Sequence, residues 1–247
     1  MTNSNYTKDD FLGGRIKIKQ PKKGYRITSD TVFLAASIKL NKGDYILDVG
    51  AGNGGILSCI AARIGNDTKN VKMHGIEVQP DLILLAKDNN KEVTYFQGDL
   101  FKDIEGCAPN SYHNVVTNPP YFEKGKVTPS PFNTKAIAHG NELNDLKVWI
   151  ERCMRMVRPK GYLTLVHRAD RMDDILSAIQ GKAGSIIVYP FYSKDGVDAN
   201  RVIIRAQKGA KGLLTLKSGM IVHKSDGNYT EAADSVLRHA NFLDIEK

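Results

Sequence analysis

The stretch 45-YILDVGAGNGGILSCIAARIG-65 changes pattern twice within 21 residues. Its first part, 45-YILDVG-50, is a short apolar run closed by glycine and reads as a buried strand. Glycines at 50, 52 and 55 follow, and 55-GILSCIAARIG-65 then repeats its apolar residues at helical spacing. Strand, glycine turn and helix in immediate succession form the opening unit of a parallel sheet covered by helices.

The same alternation continues downstream. The runs 71-VKMHGIE-77, 92-EVTYFQ-97, 112-YHNVVT-117 and 161-GYLTLVH-167 are short, rich in β-branched or aromatic residues, and bounded by Gly, Asn, Asp or Pro. Between them, 80-PDLILLAKDNN-90 opens a helix with Pro80 in its first turn. The span 142-ELNDLKVWIERCMRMV-157 aligns Leu143, Leu146, Trp149, Ile150, Cys153 and Val157 along one helical face. A helix over 170–181 is followed by strands 184-GSIIVYP-190 and 200-NRVIIRAQK-208, joined by the turn-rich 191-FYSKDGVDA-199 as a hairpin. Upstream, 30-DTVFLAASI-38 reads as a helix. The tail 209–240 reads as two short strands around Ser218-Gly219 and a helix capped by Thr230, packed on the sheet. Five parallel strands with a terminal antiparallel hairpin make a seven-stranded, Rossmann-like α/β sheet, the plan of class I S-adenosylmethionine-dependent methyltransferases. One structural domain is expected, with residues 1–40 as a basic strand-and-helix extension packed on a methyltransferase core of 41–247.

Composition supports this size of core. A chain of 247 residues, 41% hydrophobic and 25% charged, needs neither disulfide nor metal to fold. Cys59, Cys107 and Cys153 are odd in number and contain no CxxC pair, so they read as reduced core residues and no metal is expected. The N-terminal 1-MTNSNYTKDD-10 lacks the apolar centre of a signal peptide, and no run approaches the ~20 apolar residues of a membrane helix. A cytoplasmic protein without membrane association is the expectation. The net charge of +8 is unevenly spread. Arg15, Lys17, Lys19, Lys22, Lys23 and Arg26 place six cations in twelve residues with no acid among them. Because Arg15, Lys17 and Lys19 alternate with Ile16 and Ile18, this segment reads as a charge-protected edge strand that can also contact a nucleic-acid backbone.

Gly50, Gly52 and Gly55 satisfy G-x-G-x-x-G after a strand, a weak pattern that admits two cofactors. A nicotinamide dinucleotide needs loop amides turned to its pyrophosphate. Asp48, two residues before the first glycine, repels phosphate but suits the ammonium group of S-adenosylmethionine, so the charge pattern leans to the latter. Glu77, closing the second strand, is placed to accept from both ribose hydroxyls of either cofactor. Asp99, beyond the third strand, is placed to accept from an adenine amine, with Leu100 and Phe101 as an apolar wall.

The motif 118-NPPYF-122 decides between the two. It follows the fourth strand, beside the point where ligands bind in such sheets. A base or amide nitrogen is a poor nucleophile because its lone pair is delocalised. Two acceptors gripping its hydrogens favour rehybridisation and stabilise the charge that develops as a methyl group arrives. The Asn118 side-chain oxygen and the Pro119 carbonyl form such a pair, and the rings of Pro119 and Pro120 restrict the backbone. Tyr121 offers a stacking face worth ~1–3 kcal/mol for a base. His139 and His167 read as structural histidines, since a sulfonium leaving group needs no proton.

Taken together, 46-ILDVGAGNGG-55, Glu77, Asp99, 118-NPPYF-122 and 20-QPKKGYRITSDTVFLA-35 resemble the bacterial tRNA1(Val) adenine N6-methyltransferase family, over the chain from about Phe11 to its end. The segments 164-TLVHRADRMDDIL-176 and 226-DGNYTEAADSVLR-238 look most like an alphaproteobacterial branch. The resemblance implies that Asp48, Gly50, Gly52, Glu77, Asp99, Leu100 and Asn118 hold S-adenosylmethionine, with Gln20, Tyr25 and Arg26 lining its entrance. It also implies that Asn118, Pro119, Pro120 and Tyr121 hold the target adenine. RNA phosphates would meet Arg15, Lys17, Lys19, Lys22, Lys23, Lys124 and Lys126, with tRNA as the expected substrate and rRNA as the alternative. Asn53 departs from the small Ser or Thr usual in the loop. Protein glutamine N5, guanine N2 of rRNA, and an RNA-binding module without turnover are the competing readings.

Overall fold

The computed structural model describes residues 5–120 and 142–247. Strands β1 (Tyr6–Phe11) and β2 (Ile16–Pro21) form an antiparallel hairpin, followed by helix α1 (Ser29–Ala36). The main sheet begins with β3 (Tyr45–Val49), then α2 (Gly55–Ile64), β4 (Lys72–Glu77), α3 (Pro80–Asn89), β5 (Thr94–Gln97) and β6 (Tyr112–Thr117). Helix α4 (Glu142–Met156), β7 (Val157–Arg168), α5 (Met172–Ile179), β8 (Ala183–Tyr192) and β9 (Ala199–Lys208) come next. The short strands β10 (Thr215–Leu216) and β11 (Met220–Ile221) precede α6 (Glu231–Leu237).

The order across the sheet is β10-β8-β9-β7-β6-β3-β4-β5, with β11 also paired to β8. Strands β3 to β7 run parallel, and β9 is antiparallel to both β7 and β8. The seven strands read from the sequence all lie in this sheet, and β10 and β11 extend it along the free edge of β8. The chain leaves β3 toward β4 and β5, then returns to β6 on the other side of β3. The switch point therefore lies between the carboxyl ends of β3 and β6, where Val49 stands beside Thr117.

Two apolar layers cover the sheet. Leu34, Leu57, Ile83 and Val236 from α1, α2, α3 and α6 pack on one face, and Leu146, Ile150, Cys153 and Ile175 from α4 and α5 pack on the other. Parallel strands buried on both faces explain the continuous apolar runs in the sequence. Helix α3 opens with Pro80 at its first position, and the Thr230 hydroxyl caps α6 by accepting from Ala233 N at 3.2 Å. The three cysteines are free and buried. No helix among the described residues is long and apolar enough to cross a membrane.

Two details depart from the sequence reading. Strand β7 starts four residues earlier than expected. Val157 pairs with Tyr112, residues 158–161 bulge out, and pairing resumes at Tyr162 opposite Asn114. Pro159 cannot donate to the ladder and Lys160 adopts φ 63, so the bulge hid the strand's first residue from any periodicity. Strand β1 was not expected at all. Its sequence YTKDDF carries no apolar run, because the pairing to β2 rather than burial holds it in place.

Candidate active site

The glycine loop after β3 is bonded to β4 through its own backbone. Gly50 N and Ala51 N both donate to the Ile76 carbonyl, at 2.9 and 2.8 Å. Gly52 N donates to Glu77 Oε2 at 2.9 Å, and Gly54 N donates to the Ala51 carbonyl at 2.8 Å. Four loop amides are thus occupied, and none of these is free to cradle a pyrophosphate. Gly50 and Gly52 sit at φ 74 and 57, a left-handed conformation that strains any other residue, and both face a ring closely. A Cβ at Gly50 would lie 3.1 Å from Trp149 Cζ2, and one at Gly52 would lie 2.8 Å from Tyr25 Cε1. The indole and phenol rings therefore rest directly against the loop.

Asp48 is completely buried beneath this loop, and neither carboxylate oxygen has a hydrogen-bond donor among the described residues. Burial, reinforced by the neighbouring Glu77 carboxylate, pushes its pKa well above the usual carboxylate range. A buried acceptor of this kind is costly unless a donor arrives. The ammonium group of S-adenosylmethionine is such a donor, and a phosphate is not. Glu77 is also buried, with Oε1 accepting from Gln79 N at 2.9 Å. A carboxylate has about four lone-pair sites, so acceptor capacity remains on Glu77 for a ribose. Asp99 Oδ1 accepts from Phe101 N at 3.0 Å, which turns the chain and presents Phe101 edge-on to Trp149 with ring centroids 6.3 Å apart. Leu100 packs into the core behind it.

At the end of β6, the Asn118 side-chain oxygen is buried and has no donor among the described residues. Its position is fixed by Thr117, whose hydroxyl donates to the Val49 carbonyl at 2.8 Å and accepts from Trp149 Nε1 at 3.0 Å. The residue that closes β6 is thereby tied to the end of β3 and to α4. Trp149 read in the sequence only as a core residue of α4. Nothing in its helical spacing indicated that its indole would touch both the glycine loop and Thr117. Tyr121, Lys124, Lys126 and His139 lie outside the described residues.

The N-terminal hairpin reaches the loop by a different route. Asn53 Nδ2 and Asn89 Nδ2 both donate to the Lys19 carbonyl, at 3.1 and 3.0 Å, and Lys19 N donates to Asn89 Oδ1 at 2.8 Å. Asn53, the departure noted in the loop, is therefore the latch that holds β2. Of the three residues expected at the cofactor entrance, Tyr25 lies on Gly52. Gln20 is buried, accepting from Ile27 N at 2.7 Å and donating to Asp9. Arg26, beyond the end of β2, reaches back to pair with Asp9 of β1.

The cations of β2 are partly engaged. Arg15 donates to the carbonyls of Leu12 and Arg238 at 2.8 and 2.7 Å, Lys17 pairs with Asp10 at 3.6 Å, and Lys19 pairs with Asp88. Asp9, Asp10 and Asp88 were not visible as neighbours because β1 and α3 bring them in. Lys22 and Lys23 are exposed and meet no carboxylate among the described residues.

Among solved structures, the chain is similar to a predicted O-methyltransferase, protein Atu636, from Agrobacterium tumefaciens. The TM-score is 0.70 at 19% identity, covering 87% of this chain and 98% of that one. It is also similar to a methyltransferase from Pyrococcus furiosus, with a TM-score of 0.56 at 17% identity, covering 79% and 90%. The fold, with its acid-flanked glycine loop at the switch point, is that of a class I S-adenosylmethionine-dependent methyltransferase. Within that class a family model described as N-6 DNA Methylase matches residues 25–187, and the chain belongs to this family. Curated relatives include a tRNA1(Val) (adenine(37)-N6)-methyltransferase from Aeromonas hydrophila, 25% identical and aligned over 83% of this chain and 86% of the relative. An enzyme of the same name from Actinobacillus succinogenes is 26% identical over 89% and 92%.

Proposed function

We propose that the protein transfers a methyl group from S-adenosylmethionine to the N6 amine of an adenine in RNA, with tRNA as the substrate. One observation carries the reading: two buried acceptors without donors among the described residues, Asp48 and the Asn118 oxygen, stand at the ends of the adjacent strands β3 and β6. One suits a cofactor ammonium and the other a substrate amine. The curated relatives named for adenine N6 methylation of tRNA support the choice of base and of RNA.

When bound, the cofactor supplies an electrophilic methyl on a sulfonium, so no residue has to protonate a leaving group. Asp48 would hold the amino group of its methionine end, Glu77 its ribose and Asp99 its adenine amine. Asn118 Oδ1 and the Pro119 carbonyl would accept from the two hydrogens of the target amine, and would stabilise the positive charge that grows on that nitrogen. Trp149 and Thr117 keep Asn118 in register with the glycine loop. The target adenine must leave its stack to reach this pair. Lys22 and Lys23, with Lys124 and Lys126 as the sequence leads one to expect, would engage phosphates. Three free, buried cysteines support a reducing compartment such as the cytoplasm.

The test is incubation with labelled S-adenosylmethionine and total tRNA or rRNA, followed by nucleoside analysis. N6-methyladenosine in tRNA is the expected product. N2-methylguanosine, or label in protein glutamine, would replace this reading with one that uses the same amine grip.

A further inference from the structure

Along α4 from Trp149 lies a second basic surface that the sequence did not reveal. Trp149, bonded to Thr117, carries Phe101 edge-on at 6.3 Å, and Phe101 is 40% exposed. The next residue, Lys102, lines a crevice together with Arg152 and Arg155 of α4. Arg152 and Arg155 are three residues apart and so neighbours on one helical face, one and two turns beyond Trp149. They extend about 9 Å along the helix axis from it, the length of two to three stacked nucleotides at ~3.4 Å each.

Unlike four of the six cations around β2, these three are not spent. Among the described residues none of Lys102, Arg152 and Arg155 has an ion-pair partner. One carboxylate, Asp103, shares the crevice, and Glu151 on the same helix is engaged by Lys182 at 2.9 Å. Three cations without an ion-pair partner among the described residues, against one acid and next to an exposed ring packed edge-on to Trp149, form a surface complementary to a phosphodiester strand with an unstacked base.

We infer that Lys102, Arg152 and Arg155 form the track for the RNA strand flanking the target adenine, with Phe101 as a stacking face for a neighbouring base. This rests on the RNA reading above. The residues touch the nucleic acid rather than the reacting atoms, so they set affinity and its salt dependence.

The test compares wild type with Arg152→Glu/Arg155→Glu and with Lys102→Ala, measuring binding to unmodified tRNA across a salt series, cofactor affinity and methyl transfer. The expected result is RNA binding weakened at least about tenfold in the double variant, with a salt slope reduced by about 1.4 for two lost phosphate contacts. Cofactor affinity should stay unchanged, which shows that the variants are folded. Wild type that places no methyl group on RNA would overturn the parent reading. Wild type that methylates RNA, with a double variant that binds RNA as tightly and with the same slope, would overturn this inference alone.

Discussion

Trp149 Nε1 donates to the Thr117 hydroxyl at 3.0 Å, and that hydroxyl donates onward to the Val49 carbonyl. One hydroxyl thus joins α4, β6 and β3 at the switch point. Trp149→Phe keeps an aromatic ring near Gly50 but removes the N–H. Thr117→Val keeps the branched shape but removes both bonds. Each should lower kcat by roughly ten- to a hundredfold through misplacement of Asn118, while the KM for S-adenosylmethionine stays within a few-fold. The two effects should not add, because both break the same link. Additive losses in a double variant would show that the two residues act separately.

Asp48 should couple cofactor binding to proton release. Its pKa is raised in the unliganded protein by burial and by Glu77, and an ammonium partner would favour the ionised form. Calorimetry in buffers of different ionisation enthalpy should detect a proton leaving on binding. The same shift has a sign for stability. A carboxyl with a raised folded pKa contributes stability below its unfolded value of about 3.9, and loses it as pH rises through the folded value. Asp48→Asn should therefore stabilise the unliganded protein at neutral pH relative to wild type, and should abolish cofactor binding. A destabilised variant would contradict this electrostatic account.

Asn118→Ala removes the proposed amine acceptor and leaves Asp48, Glu77 and Asp99, proposed to hold the cofactor, in place. Methyl transfer should fall by at least about a hundredfold, the scale seen when one stabilising partner of a transition-state charge is deleted. Equilibrium binding of RNA and of the cofactor should remain measurable. Normal turnover would remove Asn118 from the mechanism.

His167, buried at the end of β7, is held neutral. Burial first, and then the Arg171 guanidinium, lower its pKa to about 4. An unfolded histidine titrates near 6.5, so the stability it confers is complete above that value and is lost as pH falls toward about 4, to a limit of about 3 kcal/mol. Denaturant midpoints for wild type should fall through this window. His167→Gln should flatten the fall, and an unchanged profile would assign it to other groups.

The hairpin latch can be opened separately. Asn53→Ser or Asn89→Ala each removes a donor to the Lys19 carbonyl, at a cost of about 1 kcal/mol. Amide exchange in β2 should accelerate well before the main sheet opens. Cofactor affinity should drop as Tyr25 loses its seat on Gly52.

Why the sheet was legible and the site only partly so follows from how each is encoded. β3, β4, β6 and β7 are largely buried on both faces, so their residues carry the fold as apolar runs, and Asp48, Glu77 and Asn118 are legible as candidates because each sits just inside or beyond the end of such a run, as Asp99 does beyond the edge strand β5. Contacts between distant segments leave no such trace. Trp149 satisfies a helical stripe equally well whether its N–H meets Thr117 or nothing. Asp9 and Asp10 lie in a strand held by pairing rather than by burial, so the charge of β2 looked uncompensated. Lys102 and Arg152, fifty residues apart, become neighbours only when α4 crosses the segment after β5.

The internally bonded glycine loop has a consequence for ligand choice. Because Gly50, Ala51 and Gly52 satisfy their amides on Ile76 and Glu77, the loop's shape is held by the protein's own bonds. In the proposed function, recognition then falls to carboxylates that would read charge and hydroxyl pattern. An adenosine thioether without an amino-acid tail should fit the walls and still bind poorly. Analogues should be sorted by their ammonium group more than by their size, and the site's selectivity could be redrawn by changing one or two side chains without rebuilding the loop.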